Sequence, residues 1–90
     1  MRIPKTFELG GMKWEVIQID NLAELGRCLR DVQIIQIKKN EKPATKEQTF
    51  CHELIHAIKY TLGEAEDHDE KQVDLMGTML HQFLRTAKYK

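Results

Sequence analysis

Residues 49–58, TFCHELIHAI, decide both the fold and the chemistry expected of this chain. At their centre is a His-Glu-x-x-His motif, His52-Glu53-Leu54-Ile55-His56. Residues four apart lie on one face of an α-helix, so the imidazoles of His52 and His56 point the same way and can bind one metal ion. Glu53 would lie beside that ion, where a carboxylate can accept a proton from water. The segment therefore predicts a metal-binding helix.

The residues around the motif distinguish this interpretation from a chance pairing of two histidines on a surface helix. A surface helix would carry polar residues at the two x positions, but these are Leu54 and Ile55. No charge other than Glu53 appears between Thr49 and Ile58. A helix that holds a metal is buried behind it, and an unpaired buried charge is costly. The apolar flanks therefore favour the metal-binding interpretation.

A catalytic zinc usually has three protein ligands, so a third must lie elsewhere in the chain. The downstream candidates are Glu64, Glu66, Asp67, His68, Asp69, Glu70, Asp74 and His81. Spacing favours Glu70, because Glu70 and Asp74 share one face of a second helix. Glu70 would bind the metal, and Asp74 would accept the other ring N–H of a ligand histidine.

Other interpretations stay open for Glu70, for Asp74 and for the identity of the third ligand. Glu70 is also a favourable first-turn glutamate near the positive end of the helix dipole. Asp74 has the simpler interpretation of a solvated aspartate, and His68 is a rival ligand in the preceding connector. The metzincin pattern is excluded in its usual form, because its third histidine would fall at Leu62.

The second helix is expected to face the core with apolar residues spaced three and four apart. This set is Val73, Met76, Leu80, Phe83 and Leu84. Gly77 lies among them, one turn after Asp74. A glycine inside a helix costs about 1 kcal/mol relative to alanine, and close approach of a neighbouring helix is one reason to tolerate it.

His52, Glu53, His56, Glu70 and Asp74 together resemble the motif of gluzincins, the thermolysin-like zinc metallopeptidases. The short spacing between His56 and Glu70 is similar to minigluzincins and to small phage- or plasmid-associated metallopeptidases of the ImmA/IrrE type. The resemblance implies a Zn²⁺ cofactor, a two-helix active site and a sheet whose edge strand binds peptide. Large gluzincins carry a downstream domain that stabilises the oxyanion, whereas this chain ends at Lys90.

The layout predicts an α+β fold in a single zincin-like domain spanning residues 1–90. Strands are expected at residues 5–9 and 12–19 around a Gly-Gly turn, and at 27–30 and 32–38 around Asp31, in an antiparallel sheet of three to four strands. Two packed helices, residues 46–62 and 70–87, follow. Thr45 with Gln48 is the expected capping box, and Gly63 ends the first helix.

Composition limits the partners and the compartment. The chain has 14 basic and 14 acidic residues, which gives no support for a nucleic-acid or membrane-surface partner. Cys28 and Cys51 lack metal or disulfide spacing, and no signal peptide is visible, so we expect free thiols and a cytoplasmic protein. A monomer is expected, with the exposed strand edge as the route to a dimer.

The sequence thus predicts zinc-dependent hydrolysis of a protein or peptide substrate, with Glu53 as general base. The strand at residues 32–38 is the expected edge for an extended substrate. Candidates for oxyanion stabilisation are Tyr60, His81 and Tyr89. The competing hypothesis is an inactive zinc-binding interaction module, regulatory in a phage or mobile element. The acidic connector at residues 64–69 is either a solvated turn or a rim that repels acidic substrates.

Overall fold

A computed structural model describes residues 1–64 and 67–90. Four strands are followed by two helices: β1 (Thr6–Leu9), β2 (Met12–Ile19), β3 (Gly26–Leu29), β4 (Ile34–Lys38), α1 (Pro43–Thr61) and α2 (Glu70–Thr86). The α+β class and the order of elements confirm the prediction. Gly10 and Gly11 turn β1 into β2 with φ of 55° and 82°, values that glycine adopts without strain.

The strand order is β1-β2-β4-β3, and one of the three pairings is parallel. β2 runs parallel to β4, while β1 pairs with β2 and β3 with β4 in antiparallel fashion. The sheet is therefore mixed, not antiparallel throughout, because the chain after β2 passes to the far edge before β4 returns to the middle. The expectation that residues 32–38 form the edge strand is wrong, since β3 occupies that edge.

α1 packs on one face of the sheet, against β3 and β4, and α2 packs on α1. Ile35 and Ile37 of β4 are fully buried on that face, as strand alternation requires. The buried cluster around them consists of Trp14, Phe50, Cys51 and Ala57. Phe7 adds a stacked contact to Trp14, with ring centroids 6.1 Å apart. This packing fixes the motif helix α1 on the sheet, with β3 beside it.

The helix ends follow local chemistry, with one departure from prediction. α1 begins at Pro43, whose fixed φ and missing N–H suit a first helical position, so the expected capping box at Thr45 is wrong. Gly63 follows the C-cap of α1 with φ of 85°, as expected. α2 begins at Glu70, and the Asp69 side chain caps it by accepting from the backbone N–H groups of Lys71 and Gln72.

Only part of the predicted apolar set of α2 faces the core. Val73 is fully buried and Leu80 is half-buried, but Met76, Phe83 and Leu84 are exposed. The prediction that all five pack inward is wrong, because α2 packs on α1 through the narrower line that contains Gly77. No helix within the described residues is long and apolar enough to cross a membrane.

Candidate metal centre

α1 and α2 bring two imidazoles and one carboxylate to a common point. The Nε2 atom of His52 lies 3.4 Å from one carboxylate oxygen of Glu70, and Nε2 of His56 lies 3.2 Å from the other. Ligand atoms of the three residues all lie within 4.8 Å of one another. Two imidazole nitrogens and a carboxylate oxygen are donors that zinc accepts. These residues therefore fit a metal ion, and the structure joins the three ligands that spacing predicted.

Asp74 controls which nitrogen of His52 faces the centre. Its Oδ1 accepts a hydrogen bond from Nδ1 of His52 at 2.7 Å. This bond places the ring proton on Nδ1 and leaves the Nε2 lone pair directed at Glu70 and His56. Asp74 thus lies where its predicted role requires, and it is not simply a solvated aspartate.

His68 contacts His56, the second candidate ligand, from the other side. Its Nδ1 lies 2.7 Å from Nδ1 of His56, and the two rings stack with centroids 5.0 Å apart. This contact uses the nitrogen of His56 that faces away from Glu70. His68 therefore lies behind a ligand, and sequence reasoning, which named it only as a rival ligand, missed this contact. The one signal for it was an imidazole two residues before Glu70.

The approach of α2 to the motif helix depends on Gly77. A Cβ atom at this position would lie 3.0 Å from Cα and 3.1 Å from N of His52. Both neighbours are backbone atoms, which cannot move aside independently of the helix. Gly77 therefore permits the helix separation that brings Glu70 and Asp74 within reach of the histidines, and the predicted close approach is confirmed.

Glu53 is buried, although it is a carboxylate that forms no ion pair with a lysine or arginine among the residues that the structure describes. Burial is the main cause that raises its pKa to about 7; Glu70 and Glu24 raise it further, and His52 opposes the rise. Burial likewise lowers the pKa of His56, which favours the neutral ring that a metal needs. A carboxyl that titrates near neutral pH is suited to taking and returning a proton.

A cleft of about 330 Å³ opens beside Glu53, between α1 and the start of β3. Its lining is Leu25, Gly26, Gln48, Thr49, His52, Glu53 and Asp74. A Cβ on Gly26 would lie 2.5 Å from Cγ2 of Thr49 and 3.2 Å from Cγ of Glu53. Gly26 therefore lets the edge strand lie directly against the general-base candidate, a role that the sequence pattern did not reveal.

The edge strand β3 presents backbone groups to this side. The N–H of Lys38 donates to the carbonyl of Leu25 at 2.9 Å. This bond determines which residues of β3 form hydrogen bonds with β4. In an antiparallel pair alternate residues bond the neighbouring strand. Arg27 and Leu29 therefore bond to β4, and the N–H and C=O groups of Gly26 and Cys28 point to the open edge.

Of the three candidates for oxyanion stabilisation, only Tyr60 is near the metal ligands. Its ring packs 4.5 Å from that of His68 and lies beneath the Arg30 guanidinium, 5.2 Å away. His81 is buried elsewhere between the helices, where its two ring nitrogens each lie 3.0 Å from a side-chain oxygen, of Gln48 and of Glu47. Tyr89 lines an apolar groove near β1. None of the three lines the cleft beside Glu53 in the part of the chain that the structure describes.

The connector between the helices has mainly structural contacts. Glu64 accepts from the buried Lys59 ammonium at 3.2 Å, and the same ammonium donates to Gln72 of α2 at 2.7 Å. Asp69 caps α2. Glu66, a candidate ligand on sequence grounds, lies outside the described residues. For the described residues Glu64 and Asp69, these contacts favour the interpretation as a turn and not the interpretation as a rim that repels acidic substrates.

Both cysteines are free, as predicted. Burial is the main cause that raises the pKa of Cys51 to about 11 and that of Cys28 to about 12, so neither is a reactive thiolate at neutral pH.

No protein-family model, curated protein or solved structure matches this chain.

Proposed function

We propose that the protein is a zinc-dependent peptidase. The observation that carries the proposal is the convergence of His52, His56 and Glu70 beside a buried Glu53 at an open cleft. A purely structural zinc site is closed by four protein ligands. Here three candidate ligands are joined by a carboxylate of raised pKa, which a structural site would not require.

Glu53 is the proton carrier in this proposal. Zinc bound by the three ligands would polarise the scissile carbonyl and make an attacking water more acidic. Glu53 accepts the proton of that water and returns it to the leaving amine. In the metal-free protein burial raises its pKa to about 7, so this carboxyl can hold a proton near neutral pH. Asp74 and His68 keep the ligand rings in the orientation that the site needs.

The substrate proposed is an extended peptide that adds as a strand to β3. The outward N–H and C=O groups of Gly26 and Cys28 would bond its backbone, which gives affinity without demanding a particular sequence. The side chain next to the scissile bond would enter the cleft by Leu25 and Thr49. Leu25 is half exposed there, and the lining favours a side chain without negative charge, since Glu53 and Asp74 are adjacent.

The test compares Glu53→Gln with Glu24→Gln. Both remove one carboxylate, but Glu24 is exposed and pairs with Arg27 near the cleft. We expect Glu53→Gln to lower cleavage of fluorescein-labelled casein by about 10²–10⁴-fold while zinc content stays unchanged. Glu24→Gln should retain activity. Undiminished cleavage by Glu53→Gln, in protein freed of contaminating protease, would refute the mechanism.

A second candidate function is a zinc-binding interaction module without hydrolysis. The observation that favours it is the position of Tyr60, which packs on His68 and lines a different hollow, with Cys28 and Arg30, from the one beside Glu53. Stoichiometric zinc together with no cleavage by the wild type, on casein and on a random peptide pool, would select this function over the first.

A further inference from the structure

A row of polar contacts between α1 and α2 continues beyond the metal ligands. Three contacts make up this row, each four residues from the next on both helices: His56 with Glu70, His52 with Asp74, and Gln48 with Thr78. Residues four apart lie on one face of a helix, so all three contacts share the face of α1 that carries the candidate ligands. Gln48 therefore lies one turn from His52 on that face, although it is not itself a candidate ligand.

The amide of Gln48 is held in place by two residues of α2. Its Nε2 atom donates to Oγ1 of Thr78 at 3.1 Å, and its Oε1 atom lies 3.0 Å from Nδ1 of His81. His81 is itself buried, and its other ring nitrogen lies 3.0 Å from a carboxylate oxygen of Glu47. A glutamine side chain that is already ordered loses less conformational entropy when a ligand binds to it. The amide of Gln48 is therefore preorganised.

This ordered amide forms part of the wall of the cleft beside Glu53. Gln48 is half-buried, so a ligand in the cleft can reach it. An amide has two N–H groups and two acceptor sites on its oxygen. Among the residues that the structure describes, Thr78 and His81 take one of each, which leaves one N–H and one acceptor site for a ligand. A peptide group, with its one C=O and one N–H, is the complementary partner.

We propose that Gln48 hydrogen-bonds a backbone peptide group of the substrate, and that Thr78 and His81 are positioning residues for it. This role rests on the proposed peptidase function and adds a substrate-binding residue to it. Cβ atoms four residues apart on a helix are about 5–6 Å apart, and an extended peptide advances about 3.4 Å per residue. The peptide group at Gln48 is therefore one or two residues from the scissile bond beside His52.

Charge in the cleft favours a neutral peptide group over a carboxylate at Gln48. Glu53 and Asp74 line the same cleft and disfavour an acidic side chain or a C-terminal carboxylate there. Gly26 lines the cleft as well, at the edge strand β3. An extended peptide in the cleft would thus be bonded through its backbone on two sides, by β3 and by Gln48.

The first experiment measures binding of fluorescein-labelled casein by fluorescence polarisation to zinc-loaded Glu53→Gln protein, the parent, in which cleavage is removed. We expect Gln48→Ala in this parent to raise the dissociation constant about 5–100-fold, because a peptide group in the cleft loses its partner. Gln72→Ala is the matched control. Gln72 also joins the two helices, by accepting from Lys59 at 2.7 Å, but it lies outside the cleft lining, so casein affinity should equal that of the parent.

Gln48→Glu distinguishes substrate binding from helix packing. The carboxylate keeps oxygens that can contact His81 and Thr78, but it has no N–H to donate. We expect casein affinity to fall at least as far as in Gln48→Ala, because the substitution also adds a carboxylate to the cleft. The zinc content of both variants should equal that of the parent, which shows that the metal site is intact.

Thr78 tests the positioning role. We expect Thr78→Val to raise the dissociation constant for casein about 2–10-fold, because the Gln48 amide loses one of its two contacts with α2. Thr78→Ser restores the hydroxyl and should recover the affinity of the parent. Equal affinity in Thr78→Val and Thr78→Ser would remove Thr78 from this role.

Two results overturn the role of Gln48. One is equal casein affinity in Gln48→Ala, Gln48→Glu and the parent. The other is no binding by the parent at a protein concentration of about 1 mM, because recognition of backbone does not depend on the substrate sequence. Casein cleavage by the wild type separates this failure from failure of the peptidase proposal. Cleavage with unchanged affinity in the Gln48 variants rejects Gln48 alone, whereas weaker binding by Gln48→Ala without wild-type cleavage rejects hydrolysis and supports peptide binding by Gln48.

Discussion

At the scale of single residues, the site is organised by what lies behind each ligand ring. Asp74 accepts from His52 at 2.7 Å, and His68 lies 2.7 Å from His56 on the equivalent nitrogen. The contact with Asp74 places the ring proton of His52 on Nδ1, whereas the contact with His68 holds the ring of His56 with either nitrogen as donor. In both histidines the Nε2 atom lies near Glu70. His68 is an unusual choice for this position, because its own Nε2 is buried and has no hydrogen-bond partner among the described residues.

Burying the Nε2 of His68 without a partner is costly, so we expect the contact between His68 and His56 to offset that cost. The size of the contribution can be measured as a change in metal affinity. We expect His68→Ala to weaken zinc binding by about 10–100-fold, because His56 loses the group that orients its ring. His68→Asn, whose amide oxygen can accept the same bond, should restore part of the affinity. Asp67→Asn, next to it in the connector, is the control. Competition with a chromogenic chelator gives the constants; equal affinity in His68→Ala and wild type would remove His68 from the site.

Glu53 gives a prediction about stability in the metal-free protein. Its folded-state pKa of about 7 exceeds the ordinary value of 4.5, so the folded chain keeps a proton that the unfolded chain releases. Stability therefore falls as pH rises from about 4.5 to about 7. Relative to wild type, Glu53→Gln should gain up to about 3 kcal/mol across this window and stay constant above it.

Urea unfolding in EDTA at several pH values measures that gain. The Arg27 guanidinium lowers the pKa of Glu24, so the contribution of Glu24 to stability is complete above about pH 4.5, and the difference between Glu24→Gln and wild type should stay constant from about pH 4.5 to about pH 7. A difference between Glu53→Gln and wild type that does not depend on pH would show that Glu53 is solvated in the folded protein.

The residues of the site were predictable to different degrees for a physical reason. Helical periodicity, which is visible directly in the sequence, relates His52 and Glu53 to His56. The same periodicity relates Glu70 to Asp74. His68 lies in an irregular connector, where no period relates it to His56. Gly26 comes from a distant strand, and its contact with Glu53 depends on how β3 lies against α1. Contacts within one helix could be predicted, and contacts that depend on packing between elements could not.

At the scale of elements, two glycines set the distances on which the site depends. Gly26 brings the edge strand to Glu53, and Gly77 brings α2 to the backbone of His52. Neither glycine lies in a turn. Gly26 is the first residue of β3, and Gly77 lies inside α2, where glycine is intrinsically unfavourable by roughly 0.5–1 kcal/mol. Glycine is therefore explained at these two positions by the close packing that the absence of a side chain permits.

The substitution Gly77→Ala distinguishes the effect of helix packing on stability from the effect of helix propensity, because the two have opposite signs. On propensity alone the substitution would stabilise α2 by about 1 kcal/mol. The added Cβ would meet backbone atoms of His52 at 3.0 and 3.1 Å, so α2 must move away from α1. We expect a net loss of about 1–3 kcal/mol in stability and weaker zinc binding. Gln82→Ala, at an exposed position of the same helix, is the control. Stabilisation without loss of zinc affinity would show that the helices do not approach this closely.

The elements themselves were predicted better than their arrangement. The turn at Gly10-Gly11, the start of α2 at Glu70 and the end of α1 before Gly63 follow local rules of turns and caps. The parallel pairing of β2 with β4 depends on where the chain passes after β2, which no local pattern encodes. The exposed Met76 and Phe83 have the same helical spacing as core residues, so periodicity alone could not place them outside.

At the scale of the whole molecule, a small core makes metal binding matter for folding. A 90-residue chain buries a limited apolar area, and a bound metal adds stability because it binds only the folded state. In the metal-free form Glu70 repels charge on the neighbouring Glu53, which is one cause of the raised pKa of Glu53. A bound cation would relieve that repulsion, so stability and metal occupancy should be strongly linked.

This linkage predicts a zinc-dependent rise in melting temperature that Glu70→Ala abolishes. At a free zinc concentration a hundredfold above the dissociation constant the gain is about 2.7 kcal/mol, which for a domain of this size raises Tm by roughly 10–20 °C. Without metal, Glu70→Ala should melt at or above the wild-type temperature, because a carboxylate next to Glu53 is gone. Asp67→Ala, an exposed acid of the connector, should keep the full zinc-dependent rise. Calorimetry with and without zinc measures all three proteins. An equal rise in Glu70→Ala and wild type would place the metal elsewhere, and no rise in the wild type would mean that His52 and His56 do not form a metal site.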